Sequence, residues 1–169
     1  MLGGSFKKYL LFVLCFASVF TTAAQDCTVN REVDVFTRET RLSSGFIDLS
    51  GASVTVDADK KEVDILFSFK TNRCFDDGCS ATLYFAGTKS KLLLRNAGTM
   101  NCEGLYHFIF RNAVSVNYQL RKLATAKISH IVFTDRDQKM VPVNLDESMQ
   151  LKFMQAVDCV TKEAVKLLQ

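Results

Sequence analysis

Beyond the apolar N-terminal run, which holds Cys15, the residues best suited to covalent or acid–base chemistry are two histidines, His107 and His130, and the other five of the six cysteines, Cys27, Cys74, Cys79, Cys102 and Cys159. A cysteine turns nucleophilic when a neighbouring imidazolium or helix N-terminus lowers its pKa. Cys79 with His107 or His130 is therefore the arrangement that would serve a small thiol-dependent or hydrolytic enzyme. Its spacing is not that of a redox pair, since Phe-Asp-Asp-Gly separates Cys74 from Cys79 and no proline is close by. Other signatures are missing: no serine has the Gly-x-Ser-x-Gly surround of a nucleophile elbow, and there is no phosphate-binding glycine loop, His-Glu-x-x-His or calcium-hand spacing. His130, beside Ile128 and Val132, reads as an imidazole at the edge of the core.

Two further groups have polar chemistry. Asp76 with Asp77, or Asp57 with Asp59, would offer oxygens to Ca²⁺, which takes about six to eight. Both pairs fall in turns, where aspartate is favoured for its backbone hydrogen bonds, and Lys60 and Lys61 would oppose a cation at the second. Arg111, Arg121, Lys122 and Lys127 form a modest basic group near Tyr106, Tyr118 and His107. An anionic envelope component or glycan could meet that patch, and a solvated face explains it equally well. No catalytic residue, metal ligand or cofactor is assigned.

The N-terminus sets the compartment in which this chemistry would operate. Lys7 and Lys8 precede YLLFVLCFASVF, and Thr21, Thr22, Ala23 and Ala24 follow: these are the charged, apolar and small-residue parts of a secretory signal. Cleavage is expected after Ala24, leaving residues 25–169 as one domain in the periplasm or outside the cell. The apolar run is short of the roughly 20 residues of a membrane anchor, so no span is expected after cleavage. Two of the 21 basic residues leave with the signal, and 19 then face 18 acidic ones at a net charge of +1. That balance gives no electrostatic basis for binding nucleic acid.

Thiols of an exported chain usually pair, and loss of Cys15 with the signal leaves five, an odd number. Cys74 and Cys102 lie in turn-rich segments flanking the same pair of strands, which favours a bridge between them. Cys27 with Cys159 would tie the new N-terminus to the last helix, leaving Cys79 as the free thiol. Closure of the short loop from Cys74 to Cys79 competes. A bridge of this kind contributes about 2–4 kcal/mol, mostly by restricting the unfolded chain.

The elements follow from apolar periodicity. Residues 28–40 alternate Val33 and Val35 with charged neighbours, predicting a half-buried strand. Phe46, Ile47 and Leu49 make a short apolar patch, and residues 52–56 a strand. A polar turn leads from there into the cleaner alternation Val63, Ile65, Phe67, Phe69, so the two strands should form a hairpin. A second hairpin joins residues 82–85 to 91–94, and Tyr106, Phe108 and Phe110 form a core face. Residues 61–111 as a whole read as the centre of one antiparallel sheet pinned by a disulfide. Residues 118–124 suit a short connecting helix. The strand after it has apolar residues on both faces, which predicts cover from both sides, with the final helix as one cover. Pro142 places the last strand at a sheet edge. Met149, Phe153, Val157, Val160, Ala164 and Leu167 then recur at three- and four-residue steps, an amphipathic helix of about 20 residues.

YHFIFRN, YQLRKLATAKISHIVFTD and SMQLKFMQAVDCV occur in that order, preceded by CFDDGCSATLYF and NCEGLYHF. Over roughly residues 64–160 this pattern resembles small exported proteins of Bacteroidetes-type bacteria that have no assigned function; Cys79 departs from it. The resemblance implies no active site. The expected fold is α+β: mainly antiparallel β, as a sandwich or strongly curled sheet, with a short connecting helix and a long C-terminal helix packed on it. The expected role is a monomeric, non-catalytic binding or structural domain whose partner is a protein, glycan or envelope component. A ligand pocket lined by Phe and Leu inside the β layer is a third expectation.

Overall fold

The computed structural model describes residues 28–169, so the expected signal peptide and Cys27 lie outside the described residues. Ten strands and two helices are described: β1 (Asn30–Val33), β2 (Thr40–Ser43), β3 (Ile47–Leu49), β4 (Ala52–Ala58), β5 (Glu62–Phe69), β6 (Ser80–Phe85), β7 (Lys91–Arg95), β8 (Leu105–Arg111), α1 (Tyr118–Thr125), β9 (Ile128–Thr134), β10 (Met140–Asn144) and α2 (Glu147–Lys166). The fold is α+β and mostly antiparallel. Where the sequence alternates most strictly the strands are most regular: Val63, Ile65, Phe67 and Phe69 of β5 are buried, as are Tyr106, Phe108 and Phe110 of β8. Burying each such side chain contributes about 1.5–3 kcal/mol.

The strands divide into two sheets. The first runs β1-β2-β4-β5-β8, with β3 also on β4, and the second runs β10-β9-β6-β7. Residues 61–111 are thus not the centre of one sheet, because β5 and β8 belong to the first and the β6–β7 hairpin to the second. The loops on either side of that hairpin carry the chain across. They are joined by the Cys74–Cys102 disulfide, over a separation of 28 residues, and by paired backbone bonds between Phe75 and Asn101. Arg73 adds an ion pair at 3.1 Å to Asp135 in the β9–β10 turn.

Two covers share the inner face of the first sheet. Phe133 of β9 packs against Phe67, Phe69 and Tyr106 with ring centroids 5.0 Å apart in each case. Helix α2 covers the other part, packing on β2 to β5, and its Phe153 lies 6.1 Å from Phe67. The Asp146 carboxylate caps α2 by accepting from the Met149 N–H. Near the opposite end, Asn112 donates to the Ala164 and Asp59 carbonyls, locking the helix to the β4–β5 turn. No described helix is long and apolar enough to cross a membrane. Cys159 is disulfide-bonded.

Two strand expectations are corrected. Residues 28–40 do not form one half-buried strand: β1 is exposed throughout, and Val35 and Phe36 are 81% and 92% exposed. Asp34 ends the strand there, accepting from the Phe36 and Thr37 N–H groups at 2.8 Å each, and Arg38 turns the chain in the left-handed region. Nor is β9 covered on both sides. A register shift at Tyr84/Phe85 puts Ile128, Ile131 and Phe133 inside, while His130 and Val132 stay half-exposed on the outer face.

Candidate functional site

Strand register assembles a polar cluster on the outer face of the first sheet. The β4–β5 register sets Asp57 opposite Asp64, and the β5–β8 register sets Leu66 opposite His107, one diagonal step from Asp64. His107 Nδ1 lies 2.8 Å from Asp64 Oδ2. That bond holds the imidazole pKa above its ordinary value against the opposing effect of burial. The other Asp64 oxygen is buried and has no hydrogen-bond partner among the described residues. On the strand beside it, Thr55 Oγ1 donates to Asp57 Oδ1 at 3.1 Å, and Ser43 Oγ lies 3.4 Å from Thr55 Oγ1.

The backbone that carries the imidazole is fixed as well. The buried Asn96 accepts the His107 N–H at 2.9 Å, and Ala97 donates to the His107 carbonyl at 2.9 Å. A Cβ at Gly98 would lie 2.7 Å from His107 Cδ2, so the loop can approach the ring only as glycine. With Asp64 on Nδ1, the neutral ring presents Nε2 as its acceptor, and no described residue bonds to it. Beside this cluster lies a surface cleft of about 420 Å³ lined by the carboxylates of Glu32, Asp57, Asp59, Glu62 and Asp64 and one guanidinium, Arg41. The arrangement can exchange a proton and attract cations.

Cys79 is elsewhere. Its thiol is free, only 2% exposed, and enclosed by one neighbour: the Asp76 N–H donates to it at 3.4 Å and it donates to Asp76 Oδ1 at 3.3 Å. Burial pushes its pKa up, with the Asp76 carboxylate adding to the effect. Beneath it the Tyr106 hydroxyl donates to the Cys79 carbonyl at 3.3 Å, and burial raises that phenol's pKa too. Neither histidine is bonded to the thiol: His107 faces Asp64, and His130 stacks on Tyr84 at 4.3 Å with its Nδ1 3.1 Å from Ser129 Oγ.

The other candidates are likewise engaged locally. Arg121 sits 5.9 Å over the Tyr118 ring, Lys122 4.4 Å over Phe85, and Lys127 pairs with Glu147 at 3.3 Å, while Arg111 ends β8 opposite Glu62. Asp59 accepts from the Lys61 and Glu62 N–H groups, and Asp76 is bonded to Gly78 and Cys79 and paired with Arg136. No group of three or more His, Cys, Asp and Glu among the described residues is arranged to hold a metal ion.

Asp64, Asn96 and Gly98 are the site residues that sequence reasoning misses. Alternation places Asp64 on an outward face, but only cross-strand register names His107 as its neighbour. No protein-family model matches the chain, no curated protein is similar to it in sequence, and no solved structure is similar to it in fold.

Proposed function

We propose that the chain is an exported, non-catalytic binding or structural domain of the periplasm or extracellular space, its partner a protein, glycan or envelope component. The observation that carries this reading is the condition of Cys79, the free thiol among the described residues: it is buried, bonded to a carboxylate and held toward its protonated form. A thiol in that state is a poor nucleophile. The aromatic rings that fill the space between the sheets also favour a surface mode of binding over an internal pocket. The Cys74–Cys102 bridge accords with an oxidising compartment.

Titration of the native chain with iodoacetamide at pH 7, read by mass mapping, tests it. Cys79 should alkylate slowly in the folded protein and rapidly after unfolding. Rapid native alkylation below pH 7 would reverse the ranking in favour of the thiol-dependent enzyme. A hydrolytic reading draws on the Asp64–His107 pair, because a carboxylate on Nδ1 orients an imidazole for general-base work. Ester hydrolysis that His107→Ala abolishes in a folded protein would establish it.

A further inference from the structure

Of the five outer strands of the two sheets, β1 and β3 are short, β8 and β10 are partly closed, and β7 is open along its length. Strand β10 pairs with β9 through Val141 and Val143, so Met140, Pro142 and Asn144 turn their backbones outward, and Pro142 has no N–H to offer there. On β8 the Asn101 side chain takes both backbone groups of Leu105, and Asn96 with Ala97 takes those of His107, so its first half is closed while Ile109 and Arg111 keep outward backbone groups. Strand β1 has four residues and is tied to α2 by Arg31 and Glu163. Strand β7 has no such device.

The free groups of β7 follow from its ladder. Phe85 donates to the Ser90 carbonyl and Asn96 to the Cys79 carbonyl, which mark the bonded pairs at the two ends of the β6–β7 hairpin. Bonded and non-bonded pairs alternate, so Leu92 and Leu94 bond to β6 while Lys91, Leu93 and Arg95 direct their N–H and C=O groups away from it. Their side chains share the outer face, where Leu93 is 61% exposed between the two cations. Lys89 precedes the strand in the exposed turn. Among the described residues none of Lys89, Lys91 and Arg95 forms an ion pair.

We propose that this edge takes up an extended acidic segment of a partner protein by strand addition. The backbone groups of Lys91, Leu93 and Arg95 would extend the ladder, Leu93 would cover an apolar side chain, and the flanking cations would meet carboxylates. Charge also argues against a second copy as the occupant. Antiparallel self-pairing centred on Leu93 sets Lys91 against Arg95, and like charges directly opposite are destabilising. Lysines on an open edge deter self-association, and the same charges select an acidic strand. The inference rests on reading the chain as a binding module and names that module's partner class.

The test uses the full chain and a fluorescein-labelled peptide of alternating Glu and Val, followed by anisotropy. Controls are an alternating Lys and Val peptide and an acidic peptide of equal charge interrupted by prolines. The Glu and Val peptide should bind, more weakly at high salt, and should protect the amides of Lys91, Leu93 and Arg95 from hydrogen exchange. Leu93→Pro removes an N–H that β6 does not use and should weaken binding about tenfold or more. The double variant K91E/R95E should transfer preference to the Lys and Val peptide, and it carries the test if Leu93→Pro does not fold.

Absence of binding, equal binding of the proline-interrupted control, or unchanged affinity in both variants would overturn the proposal. So would a dimer of the free chain that Leu93→Pro abolishes, since the occupant would then be a second copy. Slow Cys79 alkylation without peptide binding would remove this edge alone, whereas rapid alkylation would remove the binding-module reading.

Discussion

His107 and His130 are the same residue on the outer faces of opposite sheets, and the two sheets treat them differently. His107 has a carboxylate on Nδ1, both backbone groups bonded to a loop, and a glycine against its ring. His130 has an aromatic face to lie on and a neighbouring hydroxyl. The difference comes from what stands one diagonal step away across the ladder: Asp64 for the first ring, while Tyr84 stands directly opposite the second. One imidazole is oriented by a carboxylate that favours its protonated form, and the other serves as a flat surface.

The comparison breaks most severely at Gly98. Gly98→Ala drives a methyl to within contact of the His107 ring and should cost about 1–3 kcal/mol by overpacking, read as a lower urea midpoint. If the clash is with the imidazole, Gly98→Ala in a His107→Ala background should cost much less, and equal costs in both backgrounds would remove the clamp. Asp64→Asn comes next. It should lower the His107 pKa and, below pH 6, destabilise by about 1–2 kcal/mol, with the pKa followed by NMR titration of the ring protons. A midpoint that does not fall would mean the carboxylate does not hold the proton.

Acid–base linkage sharpens the same contrast. An unfolded imidazole titrates near 6.5, and the folded His107 titrates higher. Its contribution is therefore complete below about pH 6.5 and is lost as pH rises through the folded value. The stability gap between wild type and His107→Gln should shrink over that window, and a constant gap would show that the pair acts by packing alone. The smallest effect belongs to the second ring. Tyr84→Ala should cost about 0.5–1.5 kcal/mol through the lost stack and leave the His107 titration where it was.

Legibility follows the range over which each interaction acts. Val63, Ile65, Phe67 and Phe69, and likewise Tyr106, Phe108 and Phe110, announce their inward face by alternation alone. Val33 and Val35 show the same period yet stay exposed, because Asp34 makes a turn and no described residue buries β1. The candidate site was largely illegible. His107 stood out as one of two histidines, but Asp64 looked like an ordinary outward carboxylate and Gly98 like a loop residue. The thiol, conspicuous as an odd cysteine, lies in a niche closed by its own turn and is bonded to neither imidazole.

From its sequence alone the chain determined which residues of β5 and β8 face inward, where the hairpins turn, that a short helix and a long amphipathic one follow the central strands, and that cysteines outnumber histidines as sources of chemistry. Those are local properties, set within a few residues by pleat, helical period and turn preference. The tertiary structure alone decided that the central strands divide between two sheets, that Asp64 rather than a thiol meets His107, and that β7 keeps its outer edge free. A period of two selects a face but not a neighbour. Neighbours are chosen only when distant segments compete to cover the same apolar surface.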